Sequence, residues 1–479
     1  MKYMKPIVIF AVFFLTNLFT SCGSLFNSNS NTTNEPVYNQ RKVWTLQTDS
    51  FYDSWFYKQY GQYFYICETD KTGGDKKYFY SKIDLSNGTR VWKTQSFEGP
   101  NRKYPLSVNV NGKKYIAVHA YSYPVKNDSS LDIAKIMLFS DETGQLEATI
   151  QYRQYLESFE VLDNEPGHIG WGWLFVNGSI YWPTRPSYKR GTDLKTATDL
   201  IRPGLAKLDL SSVDFTKPAD ELQYIQPTMA WTNTENYEVI SVYPVEKDGI
   251  IYFITYFRIV DPWTEYDHTI MGAYDTKTDS MVWQRTSEKQ DGWGNDNMCI
   301  VGDKLYIMGQ AQGCYNLSDG STVWEQRQTV DELHREVGID ASMCALGITY
   351  NNGKFYFTNT GGYLSSKMTG IDESLIKNIQ CIDANNGKYI WGDLPEGSGS
   401  LDTRPIVIDG QCFVVGCDNL RVYNATSGEL IGVDNSVSSI GTELNAEYNG
   451  MFIYFDTDET TETSKLTAIK PYWDSETLK

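Results

Sequence analysis

KIDLSNGTRVW, residues 82–92, places Asp84, Gly88 and Trp92 at four-residue intervals. The spacing returns in CYNLSDGSTVW (314–324, with Asn316, Gly320 and Trp324) and in QCIDANNGKYIW (380–391, with Asp383, Gly387 and Trp391). AYDTKTDSMVW (273–283) keeps Asp275 and Trp283 but carries Asp279 in the glycine position. Fainter copies are LFSDETGQLEA (138–148, Gly144), VYNATSGELIG (422–432, Asn424 and Gly428) and KLDLSSVDF (207–215, Asp209). Asp or Asn bonds the backbone two residues on and Gly supplies a positive φ, so each unit closes a tight turn between two strands. The tryptophan then lies on the second strand, where it can pack against a neighbouring sheet.

A second turn glycine precedes each copy: Gly61, Gly112, Gly178, Gly249, Gly302, Gly353, Gly410 and Gly450. Each repeat is therefore two hairpins, or four strands in one sheet, and eight such sheets make an all-β, eight-bladed propeller. The last repeat offers FIYFD and SKLTAIK with no Gly-x-x-x-Trp strand after them. KVWTLQT (42–48), carrying Trp44, stands unused ahead of the first repeat. An N-terminal strand completing the last blade would close the ring and remove its free edges.

Composition narrows the function classes. The chain has 479 residues and a formal charge of −18, and it lacks the basic stripe that nucleic-acid binding requires. Aromatics reach 14%, more than one core requires. Four histidines argue against a histidine-rich metal centre.

The N-terminus reads as an address. Lys2 and Lys5 precede the apolar run Pro6–Phe19, which is followed by Thr20, Ser21 and Cys22. That pattern is a secretory signal and too short to span a bilayer comfortably. Phe19-Thr20-Ser21-Cys22 resembles a bacterial lipobox, with Phe19 in place of the usual Leu. The resemblance implies cleavage before Cys22 and lipidation of its thiol; the plainer alternative is an ordinary signal with an incidental cysteine. Residues 1–21 are thus expected to be the signal, 22–40 an Asn- and Ser-rich tether, and 41–479 the propeller. Gly23 and Ser24 carry no Asp retention cue, which points to the outer membrane.

The Asp-x-x-x-Gly-x-x-x-Trp repeat, over roughly residues 42–470, resembles the quinoprotein-like propeller family. Dehydrogenases of that family hold a quinone through adjacent cysteines, a tryptophan platform and calcium. No two cysteines are adjacent here, and no Cys-x-x-Cys-His is present. QDGWGNDN (290–297) and DTDETTE (456–462) are acidic but match no calcium-loop spacing, and read better as solvated turns. No Gly-x-Ser-x-Gly, His-Glu-x-x-His or Walker lysine loop occurs. No catalytic residue, cofactor or metal is assigned, and the sequence leans towards a binding module rather than an enzyme, with paired carboxylates for glycoside hydrolysis left open among its 60 acidic residues. Cys67, Cys299, Cys314, Cys344, Cys381, Cys412 and Cys417 read as buried strand thiols, and the repeat tryptophans as packing rather than ligand platforms.

Strand order also predicts where binding occurs. The first and third turns of every blade share one face and look tight. The second turn and the inter-blade link share the other, and the insertions near 121–133, 183–204, 257–268, 359–378 and 456–464 all fall in second turns. Loops that lengthen on one face of a rigid scaffold are where binding usually sits. The candidate binding face is Arg185, Tyr188, Trp263, Tyr266 and His268, joined by Trp293 and Asn295 on a link; the plainer reading is that they pack the loops together. Function is read as an exported, lipid-anchored scaffold that binds a protein of the cell envelope and meets the membrane through its lipid alone. It is similar in architecture to the propeller lipoprotein of the outer-membrane β-barrel assembly machine. A glycan-binding or glycan-processing lipoprotein is the alternative, and a quinone-dependent dehydrogenase the remoter one.

Overall fold

The computed structural model describes residues 36–38, 41–48, 57–70, 77–97, 104–122, 133–152, 172–184, 204–232, 238–241, 244–258, 266–286, 297–308, 312–326, 345–359, 379–393, 403–416, 419–437, 445–458 and 463–471. These form eight sheets, six of four strands and two of five, arranged as an eight-bladed β-propeller of four-stranded antiparallel blades. In every blade the strands follow chain order from the channel outward, and the inner strands of successive blades approach one another around the ring. Blade 8 supplies the expected exception: its outer strand is Arg41–Thr48, paired antiparallel with Thr463–Lys470. N- and C-terminal segments thus share one sheet, and the ring is closed by backbone hydrogen bonds.

The turns form as the residue types require. Six of the eight inner hairpins turn on Asn-Gly or Asp-Gly with both residues at positive φ, for example Asn111 at 53° and Gly112 at 83°. This twist matches that of the flanking strands. In the outer hairpin of blade 1 the Asp84 carboxylate accepts the Ser86 N–H at 2.8 Å, and Gly88 N–H donates to the Asp84 carbonyl at 2.8 Å.

The apolar core is eight layers, one between each pair of neighbouring blades. Phe64 and Ile66 face blade 8, while Tyr65 and Cys67 on the same strand face blade 2. Blade strands are buried on both faces, so alternation sends successive side chains into two different cores. Eight interfaces explain the surplus of aromatics, each worth roughly 1.5–3 kcal/mol when fully buried.

The repeat tryptophans pack across the joints between blades. A Cβ built on Gly88 would lie 2.4 Å from the Trp44 ring, and the Trp44 Nε1–H donates to the Leu85 carbonyl at 3.1 Å. Trp92 docks likewise on Gly144, Trp283 on Gly320, Trp324 on Gly387 and Trp391 on Gly428. Each indole N–H reaches a carbonyl in that next turn: Asp141, Leu317, Ala384 and Ala425 respectively. The glycine of one repeat therefore accommodates the tryptophan of the repeat before it. Where the tryptophan is missing, so is the glycine. Ala148 of blade 2 shares a layer with Val213 of the blade 3 turn, and on blade 3 Thr228 stands opposite Lys207, which meets Asp279 (φ 55°) of the blade 4 turn.

Two features differ from the sequence reading. The third turn of blade 3 is not tight: residues 210–227 hold a 3-10 turn (Leu210–Ser212) and a strand (Leu222–Tyr224) that pairs in parallel with the outer strand of blade 2, Leu146–Gln151. Asp209 caps the 3-10 turn through Ser211 N–H at 2.8 Å, which is what its Asp retains of the repeat. Pairing also begins before residue 41. Tyr38 N–H donates to the Val433 carbonyl and Val433 N–H to the Pro36 carbonyl, both at 2.8 Å, laying Pro36–Tyr38 parallel to the outer strand of blade 7, Leu430–Asp434.

Candidate functional site

Second turns and inter-blade links do leave from one face, because antiparallel strands alternate direction. The second-turn connections of blades 2, 3, 4 and 6 span 123–132, 185–203, 259–265 and 360–378. Links as well as second turns are long, which corrects the expectation that the insertions all fall in second turns. Residues 152–173 join blade 2 to blade 3, and 327–344 join blade 5 to blade 6. On the opposite face, only blade 3 breaks the rule of short turns.

Of the predicted contact residues, Arg185, Tyr188, Trp263, Trp293 and Asn295 lie outside the described residues, as does Cys22. Tyr266 and His268 belong to a strand, Tyr266–Asp275 of blade 4, opposite Arg258 and Phe257. The blade 4 insertion is accordingly shorter than 257–268 suggested, because pairing carries the strands further towards its tip. QDGWGNDN falls outside the described residues except for Asn297, and in DTDETTE only Asp456–Asp458 are described. No group of three potential metal ligands occurs among the described residues.

At the mouth of the channel on this same face, two basic residues that carry no motif come together. Lys58 is on the inner strand of blade 1 (Tyr57–Tyr60), and Arg404 leads into the inner strand of blade 7 (Ile406–Ile408). Both keep solvent-accessible side chains, and protein surrounds Lys58 closely. Burial, and secondarily the Arg404 charge, push the Lys58 ammonium below the ordinary lysine range. Lys58 sits 5.4 Å from the Tyr104 ring centroid, and Arg404 Nε donates to Thr349 Oγ1 at 3.0 Å. Asn445 Nδ2 holds the Arg404 carbonyl at 3.0 Å, so blades 6, 7 and 8 together fix that residue. In an acidic chain this mouth presents ammonium and guanidinium donors without a carboxylate partner among the described residues.

Other polar clusters are satisfied within the blades. Glu68, its side chain fully buried, accepts from Arg90 at 2.8 and 3.1 Å and from the Ser81 hydroxyl. Lys82 pairs with Asp141 at 3.0 Å and lies 4.1 Å from the Tyr63 ring centroid, tying blade 1 to blade 2. The cysteines behave as core residues. Cys67, Cys314, Cys381 and Cys412 are buried, and Cys299 is half-buried. Burial pushes the thiols of Cys299 and Cys381 up to about 12 and about 11, where thiolate chemistry is suppressed at neutral pH. Cys344 and Cys417 lie outside the described residues.

Sequence reasoning missed Lys58, Tyr104 and Arg404. Lys58 and Tyr104 read as ordinary positions near inner strands, and Arg404 belongs to a repeat 346 residues away from Lys58. Only ring closure makes them neighbours.

No family model matches the chain, and no curated protein matches it. Among solved structures it is similar to BamB from Moraxella catarrhalis, at 12% identity and a TM-score of 0.49, over 91% of this chain and 99% of that one. It is also similar to the computationally designed protein Ika8, at 7% identity and a TM-score of 0.47, over 90% of this chain and 100% of that one. A third is Chaetomium thermophilum Sqt1 bound to the N-terminus of ribosomal protein L10, at 9% identity and a TM-score of 0.44, over 88% and 100% of the two chains. At these identities none assigns this chain an activity or a partner.

Proposed function

We propose that this chain is an exported, lipid-anchored propeller of the quinoprotein-like kind that serves as a protein-binding scaffold at the bacterial outer membrane. Residues 1–21 act as the signal, Cys22 carries the lipid, and the residues after it tether the ring. The observation that carries the binding role is the asymmetry of the two faces. Nearly all long connections, and the basic channel mouth, belong to one face, while the other is almost entirely two- to five-residue turns. A rigid ring with one elaborated face suits partner recognition, since loop residues then contact a partner from fixed positions. The anchoring half of the reading rests on the lipobox-like Phe19–Cys22.

Cross-linking and affinity purification from intact envelopes tests both halves. The wild type should retain an envelope protein, and Trp263→Ala, Tyr266→Ala, Arg185→Ala or Tyr188→Ala should weaken it by about 1–3 kcal/mol where the residue is an anchor. Lys113→Ala and Lys354→Ala, at the tight turns, should be silent. Cys22→Ser should move the protein to the soluble exported fraction. Binding lost only in the Lys113 and Lys354 variants would place the partner on the other face. Tryptophan fluorescence quenched by oligosaccharides, with no protein retained, would replace the scaffold reading with glycan binding.

A further inference from the structure

The channel mouth holds two cations that the fold fixes in place. Arg404 is anchored twice. Its Nε donates to Thr349 Oγ1 at 3.0 Å, and its carbonyl accepts from Asn445 Nδ2 at 3.0 Å. Thr349 Oγ1 is oriented in turn by donating to the Pro405 carbonyl at 2.5 Å. The bond to Thr349 uses one of the five guanidinium donors, which leaves the two Nη groups for another acceptor. The Arg404 charge acts on Lys58 of blade 1 and also on Cys299 of blade 5, and these blades stand opposite one another in a ring of eight. A guanidinium felt on both sides projects into the channel rather than along one wall.

Lys58 has a built wall of its own. The Tyr104 ring, its centroid 5.4 Å from the ammonium, packs edge-on against Tyr57 with centroids 6.2 Å apart. The Tyr104 carbonyl accepts from Trp173 Nε1 at 2.8 Å, which fixes the backbone beneath that ring. Among the described residues the ammonium donates to no oxygen, and the charge that acts on it, that of Arg404, has the same sign. Inner-strand carboxylates do not offset this pair. Glu246 Oε1 accepts the Gly249 N–H at 2.6 Å and Glu447 Oε1 accepts the Gly450 N–H at 3.0 Å, so both are engaged at first turns, on the opposite face.

Surrounding an ammonium closely with protein beside a guanidinium destabilises the folded chain, because desolvation and like-charge repulsion both oppose the charged form. Residues that lower stability in this way are expected where a ligand must be held. The two cations also suit a single ligand group. A guanidinium offers parallel N–H donors to two oxygens, and an ammonium offers a compact charge to either.

We propose that the channel mouth is an oxyanion-binding site, in which a carboxylate or phosphate group lies between the Lys58 ammonium and the Nη groups of Arg404, beside the Tyr104 ring. The group is carried by a small molecule entering the channel or by an acidic side chain of a polypeptide; the recognising chemistry is the same. The site goes beyond the scaffold reading and does not depend on it.

The test titrates the purified full-length chain by calorimetry with inorganic phosphate, with malonate and with a blocked tetraglutamate peptide, each against sodium chloride at matched ionic strength. At least one probe should bind saturably at a single site and raise the melting temperature, and chloride should do neither. Affinity should fall about tenfold or more in Lys58→Met and in Arg404→Gln, and stay unchanged in Lys113→Ala on the tight-turn face. Lys58→Met should melt above the wild type without the probe and gain nothing from it, a pairing that a merely structural lysine would not give. Should Arg404→Gln melt far below the wild type, Arg404→Lys replaces it, keeping the charge and losing the paired donors. Tighter binding of the peptide than of malonate assigns the group to a polypeptide side chain, and the reverse assigns it to a small molecule. An equal response to chloride would mean screening alone, and binding unchanged in both variants would put the anion elsewhere. No binding by any probe would mean that water or a carboxylate of this chain occupies the mouth. Each of these three results overturns the proposal, and none bears on the envelope purification that tests the scaffold reading.

Discussion

The joint between blades 8 and 1 and the joint between blades 3 and 4 meet the same demand with different chemistry. At the first, Trp44 lies flat over Gly88 and bonds the Leu85 carbonyl, so a single ring supplies apolar contact and a directed hydrogen bond. At the second, Thr228 and Asp279 replace that pair. Lys207 faces Asp279 at 3.6 Å, and Asn177 Nδ2 donates to Thr276 Oγ1 at 2.8 Å. The Asp279 side chain is 66% exposed, and an ion pair in such a setting contributes about 0–1 kcal/mol. The unit of co-occurrence is therefore the joint rather than the repeat: a glycine without the preceding tryptophan, or the reverse, would leave a void or a clash.

The largest effect should come from removing the closure itself. Deleting Arg41–Thr48 exposes the Thr463–Lys470 edge and opens the layer between blades 8 and 1, and should cause aggregation in place of cooperative melting. Deleting 27–35, ahead of the Pro36–Tyr38 cover, should leave the melting temperature unchanged. Equal tolerance of both deletions would break the comparison.

Gly88→Ala comes next. It places a Cβ at φ 72° against the Trp44 ring, and strain plus overpacking should cost about 2–4 kcal/mol in denaturant melts. Gly61→Ala carries similar strain at φ 59° with open space around it, and should cost only about 1–2 kcal/mol. Combining Gly88→Ala with Trp44→Ala should cost less than the sum of the two, with a coupling of about 0.5–3 kcal/mol. Strict additivity would mean that ring and glycine are independent.

The polar joint can be converted as a sharper test. Thr228→Trp alone should lower the melting temperature, because Asp279 occupies the seat. The same substitution with Asp279→Gly should melt above Asp279→Gly alone. Smaller again is Tyr38→Phe, which removes the bond to Gln411 from the blade 7 cover and should cost about 0.5–1.5 kcal/mol.

The smallest effect lies at the channel end of the closing joint. There Gln59 Nε2 donates to the Glu447 carbonyl at 2.8 Å, beside Lys58. Folding holds the Lys58 ammonium below its ordinary range, so the folded chain binds fewer protons than the unfolded chain between the two pKa values. Wild-type stability attributable to Lys58 should therefore rise with pH across that window. Lys58→Met should raise the melting temperature near neutral pH, and the gain should fade as pH climbs towards the ordinary lysine value of 10.5. A gain that does not change with pH would mean packing, not charge, decides that position.

Most of the architecture was legible in sequence because its determinants are local. Asn-Gly at 111–112 closes a hairpin by the φ values those two residues accept, and Asp84 bonds Ser86 whatever the rest of the chain does. Trp44, spare at one end, and the missing strand at the other were both visible in the repeat pattern. The blade 3 exception was less legible, since 210–227 has neither the turn signal nor the tryptophan spacing. The partner of each tryptophan was hidden too: Trp92 and Gly88 share a repeat, yet Trp92 docks on Gly144.

By itself, then, the sequence determined the number of blades, their turns and the strand that closes the ring, because those follow from backbone conformation within a dozen residues and from one unmatched copy. Only the tertiary structure decided which tryptophan meets which glycine, that Lys58 and Arg404 share a channel mouth, and that Pro36–Tyr38 and Leu222–Tyr224 cover the outer strands of blades 7 and 2. Those are relations between blades, set by the rotation from one sheet to the next, and residues separated by 37 to several hundred positions carry no local signal of meeting.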